Sequence, residues 1–180
     1  MSTFPMLEAA LGGGFCHGSL LLVASRPGVG KSTLLRQIAD DSNGIYLCNE
    51  LDAAGVENVA RSAHGRILCL DFDTAAQSIT GETLKRLAQK YEIPILVATG
   101  VSRNCEGRED KRPRLADLDQ NLVAAADVVL VLYRESYYHC GISIEPNDDE
   151  FILRKNAHGE ICTIPATLHL PERLWSERKN

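Results

Sequence analysis

The sequence lacks any long hydrophobic run and any basic N-terminal leader. No apolar stretch approaches the roughly 20 residues needed to span a bilayer, so a membrane partner is not expected. The first residues, Met1 to Glu8, carry no basic segment that leads into a long apolar region, which argues against a secretory signal. We therefore expect a cytoplasmic protein.

The sequence also lacks the cysteine spacing of a zinc site. None of its six cysteines forms a Cys-x-x-Cys pair. The adjacent pairs Cys16-His17 and His139-Cys140 do not match the spacings of zinc fingers. The scattered positions favour reduced structural thiols. The alternative is a zinc ion held by these two pairs.

An excess of positive charge is missing as well. The formal net charge is −5 over 180 residues, which argues against a protein that mainly coats nucleic acid. The stretch from Arg103 to Arg114 is locally basic, so a nucleic-acid contact there stays open. With 44% hydrophobic residues and no internal repeat, the chain is typical of one domain over residues 1–180. Its polar end, about 175–180, is expected to be frayed.

Continuous apolar runs alternate with amphipathic segments along most of the chain. The runs predict buried parallel strands at Leu20–Ala24, Ile45–Cys48, Ile67–Leu70, Ile93–Ala98 and Val128–Tyr133. Helices are predicted over 31–40, around 56–63 and over 82–91. Segments 142–145, 151–155, 161–164 and 167–170 predict antiparallel hairpins. This pattern predicts an α/β fold with a mostly parallel central sheet and antiparallel strands at its C-terminal edge.

A candidate phosphate-binding loop follows the first predicted strand. Such a loop needs glycines whose backbone N–H groups turn onto phosphate oxygens, a lysine that reaches the β/γ-phosphates, and a hydroxyl for Mg²⁺. The helix after the loop adds its positive N-terminal end. These parts stand in the segment Ser25-Arg26-Pro27-Gly28-Val29-Gly30-Lys31-Ser32-Thr33.

Ser25 occupies the position of the motif's first glycine, so the strict pattern is not met. A chance glycine-rich turn between a strand and a helix is the alternative. The apolar strand before the loop and the amphipathic helix after it favour a nucleotide site. The sequence therefore predicts a P-loop protein that binds ATP and Mg²⁺, with Lys31 as its central residue.

Carboxylates follow two other predicted strands. In an ATPase, a carboxylate at the end of a neighbouring buried strand binds the Mg²⁺ shell, and Asp71 has that position. Together with Ser32 it forms the predicted metal site. Hydrolysis also needs a base that activates water, and Glu50 follows the second strand as the candidate. A solvated surface glutamate is the alternative for Glu50.

Taken together, the motifs resemble one family. Residues 12–32 are similar to the start of the RecA-like motor domain of DnaB-type replicative helicases (superfamily 4), where a non-glycine followed by Arg-Pro often opens the loop. The resemblance spans about residues 6–170, and its further segments are 84–95, 106–118, 126–138 and 151–159. It implies a RecA-like fold and a link to DNA replication or recombination. It also places Glu50 at the position of the family's catalytic glutamate.

The sequence departs from this family at parts that a hexameric motor needs. Gly100 stands where the family's γ-phosphate-sensing glutamine is expected, and Ala157 stands where its arginine finger is expected. Loss of such a finger can cost about 10³–10⁵ in rate. Around Asp119, the loop that tracks single-stranded DNA in the family is shorter and lacks its arginine. The family's N-terminal domain and linker helix have no counterpart in these residues.

These departures favour an ATP-binding, DnaB-like protein with weak or no autonomous helicase activity. The alternative is an active, DNA-stimulated ATPase that serves as a DNA helicase motor domain, so enzymatic activity stays open. ATP and Mg²⁺ are the expected cofactors. Replication or recombination proteins are the expected partners, while single-stranded DNA and an oligomeric state stay open. A structural relic without nucleotide is disfavoured because the loop keeps Gly28, Gly30, Lys31 and Ser32.

Overall fold

A computed structural model describes residues 3–74, 77–138 and 149–178. The predicted strand at 142–145 and the pair His139-Cys140 lie outside the described residues.

The described chain forms an eight-stranded sheet flanked by helices. The helices are α1 Pro5–Ala10, α2 Lys31–Asp41, α3 Ala53–Ser62, α4 Gly81–Tyr91, α5 Gln120–Ala125 and α6 Glu135–Tyr138. The strands are β1 Leu20–Ser25, β2 Ile45–Leu47, β3 Leu68–Leu70, β4 Ile95–Gly100, β5 Val128–Arg134, β6 Asp149–Asn156, β7 Thr163–His169 and β8 Leu174–Glu177. Short 3₁₀ segments lie at Arg103–Gly107 and Leu115–Asp117.

The strand order is β2-β3-β4-β1-β5-β6-β7-β8. Strands β1 to β5 pair in parallel, and β6, β7 and β8 add in antiparallel pairs. The parallel strands are linked through segments that contain helices, which cover the two faces of the sheet. The predicted fold class, with parallel strands first and antiparallel strands at the C-terminal edge, is therefore confirmed.

Strand β1 lies at the centre of the core and is buried along its whole length. Because neighbouring side chains of a strand point to opposite faces, Leu20 and Leu22 pack in the cluster that includes Leu84 of α4. Leu21 and Val23 pack on the other face, in the cluster that includes α1 and α2. This double burial explains why the strand reads as a continuous apolar run.

Three helices on the first of these faces begin with side-chain caps, and at α3 the Asp52 carboxylate accepts a hydrogen bond from the Gly55 amide. Thr80 accepts a hydrogen bond from the Thr83 amide at the start of α4. Asp119 accepts bonds from the amides of Asn121 and Leu122 at the start of α5. Such caps satisfy amides that have no partner within the helix.

The second predicted strand is shorter and less buried than expected. β2 ends at Leu47, its residues are only half-buried, and Cys48 is exposed. The prediction of a buried strand over Ile45–Cys48 was wrong in this respect because β2 is an edge strand that pairs with β3 alone. One of its sides therefore faces solvent.

The prediction of a frayed polar tail from about residue 175 was also wrong. β8 runs over Leu174–Glu177, and Trp175 is 1% exposed. The predicted strands 161–164 and 167–170 are one continuous strand, β7, with which β8 pairs. The carboxylate of Glu177 accepts bonds from the amides of Met6 and Leu7 at 2.7 and 2.6 Å, so β8 also fastens α1.

None of the helices in the three described stretches is both long and apolar enough to cross a membrane.

Candidate nucleotide site

A cleft of about 410 Å³ lies where parallel strands β1, β3 and β4 end. In open α/β sheets, ligands commonly bind outside the carboxyl ends of the strands. The residues that line it are Lys31, Asp71, Phe72, Asp73, Thr74, Ala98, Thr99, Gly100, Asp119 and Leu122. Two predicted site residues, Lys31 and Asp71, therefore meet at one cleft although they lie far apart in sequence.

The predicted loop joins β1 to α2 directly. Its two glycines have positive φ angles, +81° at Gly28 and +122° at Gly30, a conformation that L side chains rarely adopt. Val29 between them is 1% exposed and packs into the core, which anchors the loop. This local backbone brings the first turn of α2 to the edge of the cleft, because Lys31 begins the helix and lines the cleft.

The Lys31 side chain folds back onto the end of β1. Its Nζ donates to the Ser25 carbonyl oxygen at 3.1 Å and to Ser25 Oγ at 3.3 Å. Burial lowers the pKa of Lys31, and the nearby Arg26 acts in the same direction, whereas the Asp71 carboxylate opposes both. The oxygens that accept hydrogen bonds from Nζ are neutral, so a further anion nearby would stabilise the charged form of Lys31.

Arg26 ties the loop to the segment after β4. Its Nε donates to Glu106 Oε1 at 2.7 Å, and its Nη1 donates to the Val101 carbonyl oxygen at 2.8 Å. The arginine side chain is 12% exposed, whereas the Glu106 side chain is 40% exposed, so water reaches the acidic partner of this ion pair. The sequence placed Arg26 in the loop but gave no sign that Glu106 would be its partner.

Asp71 has a partner that the sequence analysis missed. The Tyr46 hydroxyl, on β2, donates a short hydrogen bond to Asp71 Oδ2. Burial and this bond raise the pKa of Tyr46 to about 12, so the phenol stays a donor at neutral pH. Arg36 of α2 lies over the Tyr46 ring, 5.1 Å from its centroid. A hydroxyl within an otherwise apolar strand was the only available signal.

Ser32 and Thr33 do not line the cleft that contains Lys31 and Asp71. They line a second cleft of about 280 Å³, together with Arg36, Gln37, Asp40, Asp41, Arg173 and Leu174. Ser32 is exposed in the first turn of α2. Thus the predicted phosphate and metal residues line two clefts. Lys31 and Asp71 line the first, and Ser32 and Thr33 line the second.

Glu50 lies apart from the first cleft. It follows β2, is exposed, and its Oε2 accepts a hydrogen bond from Gln77 Nε2 at 3.0 Å. It is absent from the residues that line the cleft with Lys31. Its assignment as catalytic base stays a prediction.

The positions that depart from the helicase pattern have defined surroundings. Gly100 is exposed at the end of β4, with open space where a side chain would stand. Ala157 is exposed just beyond β6. Asp119 lines the cleft, and its carboxylate is engaged as the cap of α5.

The backbone matches solved ATPase structures over nearly its whole length. One solved structure, described as an ATPase domain, superposes with a TM-score of 0.83 at 18% identity, covering 99% of this chain and 91% of that one. A DnaB-like replicative helicase, described with its interactions with primase, gives 0.83 at 17% identity, covering 99% and 62%. At such identities the likeness shows the fold alone. The fold is that of a RecA-like ATPase.

Sequence comparison narrows this class to a family. A sequence model of the DnaB-like helicase C terminal domain matches residues 73–171. A probable replicative DNA helicase of Trieres chinensis is 39% identical over 89 residues, which are 46% of this chain and 19% of that protein. The DnaB helicase of Geobacillus stearothermophilus is 36% identical over 84 residues, 46% and 18% of the two chains. This chain belongs to the DnaB-like helicase C-terminal domain family, and it spans about a fifth of these relatives' length.

Proposed function

We propose that this protein binds ATP with Mg²⁺ and takes part in DNA replication or recombination, with weak or no helicase activity of its own. The observation that carries the proposal is the meeting of Lys31 and Asp71 at one cleft, beside a loop with two positive-φ glycines. A half-buried lysine at the N-terminal end of a helix suits a polyphosphate.

Two side chains near the loop, which line different clefts, would supply oxygen ligands to a magnesium ion. Mg²⁺ prefers oxygen ligands and is usually bound by one or two protein side chains together with phosphate oxygens. The Ser32 hydroxyl and the Asp71 carboxylate supply such oxygens, and Tyr46 holds the carboxylate in place. When bound, the ion would neutralise charge on the phosphates. Lys31 would leave Ser25 and bind the β/γ-phosphates.

Weak turnover is favoured by the surroundings of three residues. Glu50 is exposed, accepts a hydrogen bond from Gln77 and does not line the cleft, which disfavours it as an efficient base for water. Ala157 cannot supply the positive charge of an arginine finger, whose loss can cost about 10³–10⁵ in rate. Gly100 has no side chain with which to sense a γ-phosphate.

The presence of Asp119 at the cleft argues against a role of the protein in unwinding DNA. Binding of single-stranded DNA depends on lysine and arginine contacts with phosphate. Here a carboxylate that caps α5 lies at the cleft instead. Two relatives are named replicative DNA helicases, and one fold neighbour is described with primase. We therefore expect replication or recombination proteins as partners, and a partner's arginine could restore turnover.

The test measures ATP binding and ATP turnover, with and without single-stranded DNA. The variants are Lys31→Ala and Glu50→Gln, and Lys90→Ala is the matched control because Lys90 pairs with Glu57 on the surface. We expect Mg²⁺-dependent binding that only Lys31→Ala abolishes, with little turnover in any form. Failure of the unaltered protein to bind ATP would refute the proposal. DNA-stimulated turnover that both site variants lose would instead establish the alternative, an active helicase motor domain. Light scattering with ATP present would show whether a ring forms.

A further inference from the structure

The chain contains one tryptophan, Trp175, and its side chain contacts the phosphate-binding loop. The indole Nε1 donates to the Gly30 carbonyl oxygen at 3.0 Å. The same oxygen accepts the Leu34 amide at 3.1 Å, as the first intrahelical bond of α2. Two donors therefore hold one carbonyl group at the point where the loop becomes the helix.

The contact is close as well as polar. A Cβ atom added to Gly30 would lie 2.9 Å from Trp175 Nε1, 3.1 Å from its Cζ2 and 3.2 Å from Leu168 Cδ2. Strands β7 and β8 thus pack directly against the loop. The tryptophan ring is in turn backed by Phe151, whose ring centroid is 5.0 Å away.

A second connection fixes Trp175 relative to α2. Gln37 Nε2 donates to the Trp175 carbonyl oxygen at 2.9 Å, and Gln37 Oε1 accepts the Trp175 amide at 2.9 Å. Gln37 is 9% exposed, so these bonds are shielded from water. The helix that follows the loop and the strand that supports the loop are therefore joined at two points.

The contact with Trp175 also fixes the orientation of the Lys31 amide. The Gly30 carbonyl and the Lys31 amide belong to one planar peptide group, so fixing the direction of the oxygen fixes the opposite direction of the N–H. That N–H stands at the start of α2, where unpaired helix amides bind anions. We propose that Trp175 is a positioning residue for nucleotide binding, which holds the Gly30–Lys31 peptide in its phosphate-binding orientation. The proposal rests on the proposed binding of ATP.

The test compares ATP affinity in Trp175→Phe with that in Glu177→Gln, using a labelled nucleotide and Mg²⁺. Phenylalanine keeps an aromatic ring but removes the N–H donor. Glu177 lies on the same strand but holds α1, so its variant controls for general loosening of β8. We expect about threefold to tenfold weaker binding in Trp175→Phe, the range that one hydrogen bond supports. Glu177→Gln should bind as tightly as the unaltered protein.

A second readout uses the unaltered protein, because its tryptophan emission comes from Trp175 alone. Saturation with ATP and Mg²⁺ should shift or quench this emission, and Lys31→Ala should show no change. The proposal is overturned if Trp175→Phe retains full affinity. If that variant does not fold, unchanged emission at saturating ATP overturns it instead. If the unaltered protein binds no labelled ATP, the proposed function fails first, so the two failures are distinguishable.

Discussion

The ion pair between Asp117 and Arg108 stabilises the segment that leads from β4 to Asp119 in the cleft. Asp117 is 7% exposed, and its carboxylate accepts bonds from Nη1 and Nη2 of Arg108 at 2.9 and 2.7 Å. It also accepts the Arg114 amide at 2.7 Å. The Asp117 carbonyl oxygen accepts the Ser102 amide at 2.8 Å. We expect Asp117→Asn to destabilise the fold, because it removes the negative charge that pairs with Arg108. The substitution keeps the shape of the side chain, so the loss reports on the charge.

The magnitude follows from the burial of the two partners. Removing one partner of a buried ion pair costs about 3–5 kcal/mol. The Arg108 side chain is 26% exposed, so water can partly solvate the unpaired guanidinium. We therefore expect a loss of about 2–3 kcal/mol in the free energy of unfolding. For a chain of this size, that loss lowers Tm by about 4–12 °C.

Thermal unfolding at pH 7, followed by circular dichroism, measures this loss. Asp110→Asn is the matched control, since Asp110 pairs with Arg112 at 3.5 Å but its side chain is 52% exposed. An exposed pair contributes about 1 kcal/mol or less. Equal losses in the two variants, or a loss below about 1 kcal/mol in Asp117→Asn, would refute the argument from burial.

The same pair predicts a pH dependence. Hydrogen bonds from the Arg108 guanidinium hold the pKa of Asp117 below its usual range. A group whose pKa is lowered by folding stabilises the fold fully above its unfolded pKa, about 4, and loses that contribution as the pH falls through the folded value. The stability difference between the unaltered protein and Asp117→Asn should therefore be constant above about pH 5 and shrink below about pH 4. A difference that grows on acidification would contradict this sign.

Two further substitutions test the site and the packing. Tyr46→Phe removes the hydroxyl that donates to Asp71. We expect ATP binding to need an about tenfold higher Mg²⁺ concentration, as when other groups that orient a metal ligand are removed. An unchanged Mg²⁺ titration midpoint would contradict the assigned role. Gly159→Ala would place a Cβ atom 2.4 Å from the Ala10 carbonyl oxygen, and such overpacking costs about 1–3 kcal/mol. Gly107→Ala, with open space around its Cα, should leave Tm nearly unchanged, and equal effects of both alanines would refute the steric explanation.

Local sequence was sufficient to predict the elements whose backbone conformation depends on residues close in the chain. The run Leu20–Ala24 predicted β1 because a strand buried on both faces needs apolar side chains at every position. Gly28 and Gly30 predicted the loop because only glycine adopts their positive φ angles without strain. The same reasoning predicted the position of Asp71 after a buried strand.

Local patterns failed where burial depends on a distant partner. Trp175 stands among polar residues, so the sequence around it predicted a tail, yet Gln37 and Phe151 enclose it. The apolar run of β2 predicted a buried strand. The run carries no information about the place of the strand in the sheet, and β2 lies at the edge.

The sequence by itself determined the backbone of the candidate phosphate-binding loop around Lys31, because backbone conformation over a few residues follows from which side chains those residues carry. The tertiary structure decided what surrounds that loop. It brought Asp71 to the cleft of Lys31, Tyr46 to Asp71, Glu106 to Arg26 and Trp175 to Gly30. Each of these contacts joins segments at least 25 residues apart, and only the packing of the whole sheet fixes which distant side chains meet.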